Sequence, residues 1–485
     1  MSYIINDTAP LKVRVKNFND LFLTGNYRIV IPEYQRPYVW SKEKVRELLN
    51  DLSDFFKTDN ELSYYMGTLL FHQKDNENSI SIIDGQQRIS TLLVLYYCLN
   101  GENSFNAFCG QSNLTYNSPI SKRNLQKAKA AIDSFGALDT IKLIKSLFQN
   151  LSFTVIVTKS EDDAFTFFET SNNRGVKLSA TDFLKAYHLR EINNSYEELQ
   201  HTCARKWEKI ESLKNSVSGS HDYIEILFNT LLWRSRSWRG KRVYFENQDY
   251  ILKEFQKKTI PTDCVDRIAL YPNRKNMLAT HLQLKDDIGY KLHGANIVFQ
   301  GRSSDFPFLL RQPISKGLNF FLYAEKYAEL VHELFNGSAH KNPEVKKIQN
   351  FYKAVYKHTS LYLRELFILC ICMYYDKFHT EKIVQFAYLL DYAIGAIRLE
   401  KKYVFKQATI KFFRDNSLNL LDIIDQAYIS DEVLAYFENN DAINNVYYQN
   451  FKDLGNGVQG RYLQSVLVYF RKNISDVKER RLWTL

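Results

Sequence analysis

The stretch IIDGQQRIS, residues 82–90, ends an apolar run with Asp84, Gly85, Gln86, Gln87 and Arg88 in direct succession. A surface turn needs glycine and an acid; it does not need two carboxamides and a guanidinium as well. A strand that ends in Asp-Gly and turns straight into a helix sets backbone amides and the positive end of the helix dipole beside the loop, which favours a phosphate. Gly85 permits close backbone approach, and Arg88 adds a planar fork that grips phosphate oxygens in pairs. Asp84 would repel a phosphate and suits a magnesium ion, a ribose hydroxyl or a hydrolytic water. Gln86 and Gln87 suit the orienting of a water or a hydrogen bond to a base. The same residues also fit a plain hydrogen-bonded turn with Arg88 paired to Asp84.

Three further stretches carry chemistry-bearing residues. PEYQRPYVW (32–40) sets Gln35 and Arg36 between prolines, with Tyr34, Tyr38 and Trp40 around them; a rigid backbone, an arginine and flat rings suit a base or phosphate, or equally a packed Pro-aromatic loop. FETSNNRGVKLS (168–179) places Asn172, Asn173, Arg174 and Gly175 at a helix end, which also reads as a C-cap followed by the next N-cap. WRSRSWRGKRVYF (233–245) interleaves Arg234, Arg236, Arg239, Lys241 and Arg242 with Trp233, Trp238, Tyr244 and Phe245. That mixture suits nucleic acid, with arginines on phosphates and rings on bases, or a solvated basic face whose tryptophans lie in the core.

The elements that must position these residues are legible in outline. Tyr27–Trp40 is a short β-rich run entering a loop, and Ser41 caps a helix with Val45, Leu48, Leu49 and Leu52 at helical spacing. Strands are expected over 64–72, 79–85 and 151–158, and a buried helix over 88–99, directly after the polar cluster. SATD, Ser179 to Asp182, is a capping box. Beyond about residue 200 helical periodicity takes over, and turn residues place a break between 195 and 220.

The whole chain has 485 residues, enough for two or three domains, and its formal charge of +10 favours a polyanionic partner. The N-terminal residues lack the basic and apolar regions of a signal peptide, and the most apolar run, LFILCICMYY (366–375), is too short to span a bilayer. With six scattered cysteines and no C-x-x-C pair, a zinc ribbon or redox motif is not expected, and buried reduced thiols in a cytoplasmic protein are. His332, His340 and His358 are too widely spaced to read as a metal site.

IPEYQRPYVW, IDGQQRISTLLVL and FFETSNNRGVKLSATDFLKAYHL, in this order, closely resemble the GmrSD restriction endonuclease N-terminal domain family over about the first 190 residues. The resemblance implies a ParB/sulfiredoxin-like fold, binding and hydrolysis of a nucleoside triphosphate with a divalent cation such as magnesium, and a role in bacterial defence against phage DNA carrying modified bases or backbones. Carried over, Asp84, Gly85, Gln86, Gln87 and Arg88 form the nucleotide site, with Asp84 as metal ligand and Asp84, Gln86, Gln87 and Arg88 as the catalytic set. Gln35, Arg36, Asn172, Arg174 and Gly175 would complete the pocket; Asn173 stands where a threonine is usual. Fused relatives carry a C-terminal HNH nuclease with a His-x-x-Pro signature, and the match here, HKNP (340–343), lacks the rest of that constellation.

The expectation is therefore an α+β chain: a ParB/sulfiredoxin-like NTP-binding domain over 1–195, then a mainly helical region over 196–485 that holds DNA or a partner. Its function would be that of a sensing, NTP-hydrolysing subunit, with an HNH nuclease on a separate chain. A nucleotide-dependent DNA clamp without turnover, or a nuclease that nicks DNA through its ParB-like domain, are the alternatives. A homo-oligomer is compatible with the sequence, and a membrane partner is not expected.

Overall fold

The computed structural model describes residues 11–22, 27–58, 63–73, 79–110, 114–144, 146–160, 163–164, 166–167, 178–192, 196–213, 223–262, 268, 271, 280–285, 289–294, 303–416, 418–437, 446–447, 451, 455 and 457–484. They fall into two compact units, one drawn from Met1–Leu189 and Glu197–Glu208, the other from Arg190–Tyr196 and Lys209–Leu485. The first mixes strands and helices and the second is almost entirely helical, as the sequence patterns lead one to expect.

The first unit is built on a five-stranded mixed sheet with strand order β1-β5-β3-β4-β2. Its strands are β1 (Leu11–Asn17), β2 (Arg28–Val30), β3 (Tyr64–Gln73), β4 (Ser79–Asp84) and β5 (Leu151–Thr158). β5 alternates cleanly, with Leu151, Phe153, Val155 and Val157 buried, and pairs antiparallel with β1 and parallel with β3. β1 was not among the expected strands: its apolar residues Leu11, Val13 and Val15 face outward from an edge, so no burial pattern marks it. Helix α1 (Phe18–Phe22) follows β1, and α2 (Lys42–Thr58) buries Val45, Leu49, Leu52 and Phe56 at helical spacing. Ser41 accepts at its N-terminus from the Lys44 amide at 3.4 Å. Helix α3 (Gln86–Cys109) starts immediately after β4, two residues before the expected 88, and is kinked at Gly101. Then come α4 (Pro119–Asp133), α5 (Leu138–Lys142), α6 (Ala180–Arg190) and α7 (Glu197–Glu211).

The second unit opens with a helical rod, α8 (223–237), wound as a π-helix over Leu227–Leu232. Its main later helices are α9 (Leu318–Val331), α10 (Pro343–Val355), α11 (Leu361–Phe378), α12 (Ile383–Glu400), α13 (Lys406–Arg414), α14 (Leu420–Gln426) and α15 (Val458–Phe470). Among the described residues its two strands form an antiparallel hairpin, Thr280–Lys285 with Gly289–Gly294. The apolar run 366–375 is the buried middle of α11, and no described helix is long and apolar enough to cross a membrane. Cys370 and Cys372 sit there fully buried, and burial pushes their thiols well above the ordinary range.

Charge is buried in this unit with its partners supplied. Asp391 on α12 is fully buried and accepts from Arg480 at 2.6 Å and from the hydroxyls of Tyr356 and Tyr462. Arg480 also lies over the rings of Phe470 and Trp483, so the 3₁₀ segment Ile474–Thr484 docks through this paired guanidinium together with buried Val477 and the Trp483 ring on Phe470. Removing one partner of such a pair leaves a buried charge uncompensated. Arg480→Ala is therefore expected to cost about 3–5 kcal/mol, read as a lowered melting temperature, and Asp391→Asn in that background should return part of the loss. Unchanged melting would show that this pair does not hold the segment.

Candidate functional site

β3 does not run straight through the sheet. Its pairing with β5 advances from Tyr65 to Thr68 while β5 advances from Ser152 to Thr154, so one extra residue bulges out at 66–67. The bulge turns the carbonyls of Met66 and Thr68 toward the start of α3, where Arg88 takes both, Nη1 at 2.8 Å and Nη2 at 2.6 Å. Gly67 sits at φ +99°, and a Cβ there would lie 2.4 Å from Arg88 Nη1, so glycine leaves the room the guanidinium occupies. Gly85 is held likewise: its φ is +98°, and a Cβ would lie 2.2 Å from Leu69 Cδ2. Beside its expected use, close approach of a phosphate, Gly85 has a steric one, the packing of the β4–α3 turn against β3.

Gln87, expected as a catalytic or base-reading group, and Gln35, expected in the nucleotide pocket, are both committed to backbone groups. Gln87 Oε1 accepts from the Val39 amide at 2.9 Å while its Nε2 donates to the Pro37 carbonyl at 3.1 Å. Gln35 Nε2 donates to the carbonyls of Ile82 and Ile83 at 3.0 and 2.7 Å. Tyr38 is fully buried, its hydroxyl 2.8 Å from that of Thr91, and burial pushes it up to about 12. Loop 32–40 and the β4–α3 turn are thereby laced into one rigid body. A water-orienting role for Gln87 and a ligand contact for the Gln35 amide nitrogen do not fit these commitments. Gln86 is different: it is buried, yet its Oε1 finds no partner among the described residues.

What the lacing holds in place is charge. Arg36 is half-buried; burial lowers its pKa, and Asp182 and then Asp84 oppose that shift. Arg88 is lowered by burial too, opposed by Asp84 and Tyr65. Asp84 Oδ2 lies 3.6 Å from Arg88, its Oδ1 accepts from the Gly85 amide at 2.7 Å, and about a quarter of its side chain, 26%, is open to solvent. The turn with Arg88 paired to Asp84 therefore exists at the N-terminus of α3, and Arg36 lies within the electrostatic reach of Asp182 and of Asp84. Asp182 enters through the capping box: Ser179 Oγ accepts from the Asp182 amide at 3.2 Å, and Asp182 Oδ2 accepts from the Ser179 amide at 2.9 Å. Sequence reasoning took Asp182 only as a cap and passed over Tyr65, an exposed ring on β3 whose hydroxyl is 2.9 Å from that of Thr154. Nothing in the spacing of either residue signals its nearness to an arginine. Asn172, Asn173, Arg174 and Gly175 lie outside the described residues.

The second unit divides the basic stretch 233–245. Arg234 is buried and pairs with Glu365 at 2.9 Å and Glu246 at 3.2 Å; Arg236 donates to Glu254 and to the carbonyls of Leu310 and Gln312. Both guanidiniums are consumed inside the unit, which corrects the expectation that they contact DNA. Arg239, Lys241 and Arg242 are exposed on a turn, and Trp233 and Trp238 are core. HKNP starts a helix: Asn342 caps α10 by accepting from the Glu344 amide at 2.9 Å, His340 Nδ1 accepts from the Asn342 amide, and Pro343 takes the first helical position. Among the described residues no three His, Cys, Asp or Glu side chains cluster as a metal site.

Gln87→Ala strips partners from two backbone groups of loop 32–40 and is expected to cost about 1–3 kcal/mol. Gln86→Ala removes an unpartnered oxygen and should cost less. Thermal melting of the two variants side by side checks the order, and the reverse order would refute the division of roles.

No curated protein matches the chain. Residues 18–189, which contain this whole charge cluster, match the family described as the GmrSD restriction endonuclease, N-terminal domain. Residues 199–453 match a family of unknown function, DUF7834, and since that match takes in more than half of the 485 residues, the chain belongs to this family.

Proposed function

We propose that the chain binds and hydrolyses a nucleoside triphosphate at the Arg36–Asp84–Arg88 cluster, as the sensing subunit of a bacterial anti-phage restriction system. The observation that carries the proposal is the Asp84–Arg88 pair at the N-terminus of α3, with Arg36 from a separate segment within electrostatic reach of Asp84 and the backbone of both segments tied together by Gln35 and Gln87. The match of residues 18–189 to a restriction-endonuclease domain supports the setting. Arg36 and the α3 amides would take phosphate oxygens. Arg88, with two of its N–H groups on the carbonyls of β3, contributes chiefly as fixed positive charge.

Asp84 would be the protein carboxylate that holds a magnesium ion brought with the phosphates, since magnesium among phosphates usually takes only one or two protein carboxylates. Bound there, it would neutralise charge on the transferred phosphoryl group. The described groups left to orient an attacking water are Asp84 and Gln86, Gln87 being occupied. Hydrolysis would bias a two-state element through the differing contacts of tri- and diphosphate, gating the recognition of phage DNA with modified bases or backbones and the release of an HNH nuclease on another chain. The engagement of Gln87 also favours a second reading, a nucleotide-dependent DNA clamp without turnover.

Phosphate release from ATP, GTP and CTP, with and without phage DNA, tests the proposal. Arg36→Ala and Asp84→Asn should each lower turnover by roughly 100-fold or more while melting stays near that of the unaltered chain. Arg88→Ala is uninformative alone, because it also opens the β3 bulge. Tight triphosphate binding without phosphate release would establish the clamp, and neither binding nor release with any triphosphate would overturn both readings.

A further inference from the structure

The second unit carries a groove that the proposed function leaves unused. It has a volume of about 630 Å³, and its lining includes Tyr244, Phe245, Tyr403, Phe405, Lys411 and Arg414. Tyr403 and Phe405 are 68% and 65% exposed, and Tyr244 and Phe245 are 41% exposed each. Single surface aromatics are ordinary; four around one groove form a patch that water covers poorly.

The rings are held out by structure beneath them. Arg398, buried on α12, donates to the carbonyls of Lys401 and Lys402 and so braces the turn that leads from α12 into α13. Phe405 stands at the N-cap position of α13, in extended backbone. On the other side, Trp238 Nε1 donates to the Tyr244 carbonyl at 2.9 Å, and the Tyr244 ring packs edge-on against buried Trp233. The faces presented to solvent are therefore preorganised.

Charge decides what would cover them. From residue 398 to 414 the chain carries Arg398, Lys401, Lys402, Lys406, Lys411 and Arg414 against Glu400 alone. Two nearby acids are already engaged, Glu246 with Lys406 and Arg234, and Asp415 with Arg414. Lys401, Lys402 and Lys411 have no ion-pair partner among the described residues. Lys406 lies over the Phe245 ring at 5.2 Å and Lys402 over Tyr403 at 5.8 Å, so cations and rings alternate. The centre of a protein–protein interface is depleted of charge, which this groove is not. A duplex keeps its base faces stacked inside and has nothing to lay on exposed rings. Unpaired nucleotides offer both a phosphate chain and free π-faces.

We propose that this groove binds single-stranded nucleic acid, with unpaired bases stacked on Tyr403 and Phe405 and phosphates held by Lys401, Lys411 and Arg414. The proposal goes beyond the triphosphate reading and does not rest on it: the groove lies in a different unit, and binding should need no nucleotide.

Fluorescence anisotropy of a labelled oligothymidine of about 20 nucleotides, longer than most single-strand sites, tests it on the full chain without nucleotide. Tyr403→Ala with Phe405→Ala is expected to weaken binding about 10-fold or more with its salt dependence unchanged. Lys411→Gln with Arg414→Gln should weaken binding and flatten the slope of log K against log salt by about 1.4. All four side chains are exposed, so melting temperatures matching the unaltered chain are expected and exclude unfolding. Failure to bind oligothymidine at low salt, indifference to loss of the two rings, or equal affinity for a duplex of the same length would each overturn the proposal.

Discussion

The guanidinium of Arg88 seated in the bulge of β3 is the contact around which the first unit is arranged. A bulge leaves strand carbonyls without ladder partners, and a buried carbonyl left unpaired is costly. One side chain with fanned donors satisfies the carbonyls on both sides of Gly67. That contact requires glycine at 67 and ties the first turn of α3 to the middle of β3. The IIDGQQR stretch is thus mechanical before it is chemical: its arginine braces a strand, its glycine admits Leu69, and its second glutamine holds a neighbouring loop.

Mechanics and chemistry share the motif without competing for the same atoms. Gln35 and Gln87 spend their amides on backbone groups, which makes loop 32–40 and the α3 start a single rigid support. Rigid support is what a phosphate site needs, because electrostatic stabilisation works only if the charges do not have to reorganise around the ligand. Arg36, Asp84 and Asp182 are the groups the support leaves over. The carboxylates oppose the lowering of the arginines' pKa by burial, which offsets part of the cost of keeping two arginines half-buried; a polyanion of the proposed kind would meet cations already in place.

The second unit sorts its basic residues by depth. Arg234, Arg236, Arg398 and Arg480 go inside, each with carboxylates or carbonyls to meet its donors, while Arg239, Lys241, Arg242 and Lys411 stay outside. Arginine suits the inner positions because its planar fork reaches several acceptors at once and stays charged when buried. The buried set builds the scaffold, and in the case of Arg398 the scaffold directly shapes the surface turn above it.

Sequence alone determined what depends on neighbours along the chain. The alternation of β5, the helical spacing of α2, the Ser179–Asp182 capping box and the shift from mixed structure to helix were all legible, since each follows from the period of side-chain burial or from a local hydrogen bond. So was the gathering of unusual polar residues at 82–90. Only the tertiary structure decided which of them are free. Whether Gln87 meets a ligand or Pro37, whether Arg236 meets a phosphate or Glu254, and whether Arg36 feels the charge of Asp182 depend on the approach of residues far apart in sequence. One residue type offers the same donors to a ligand, a carbonyl or an acid, and burial alone chooses among them.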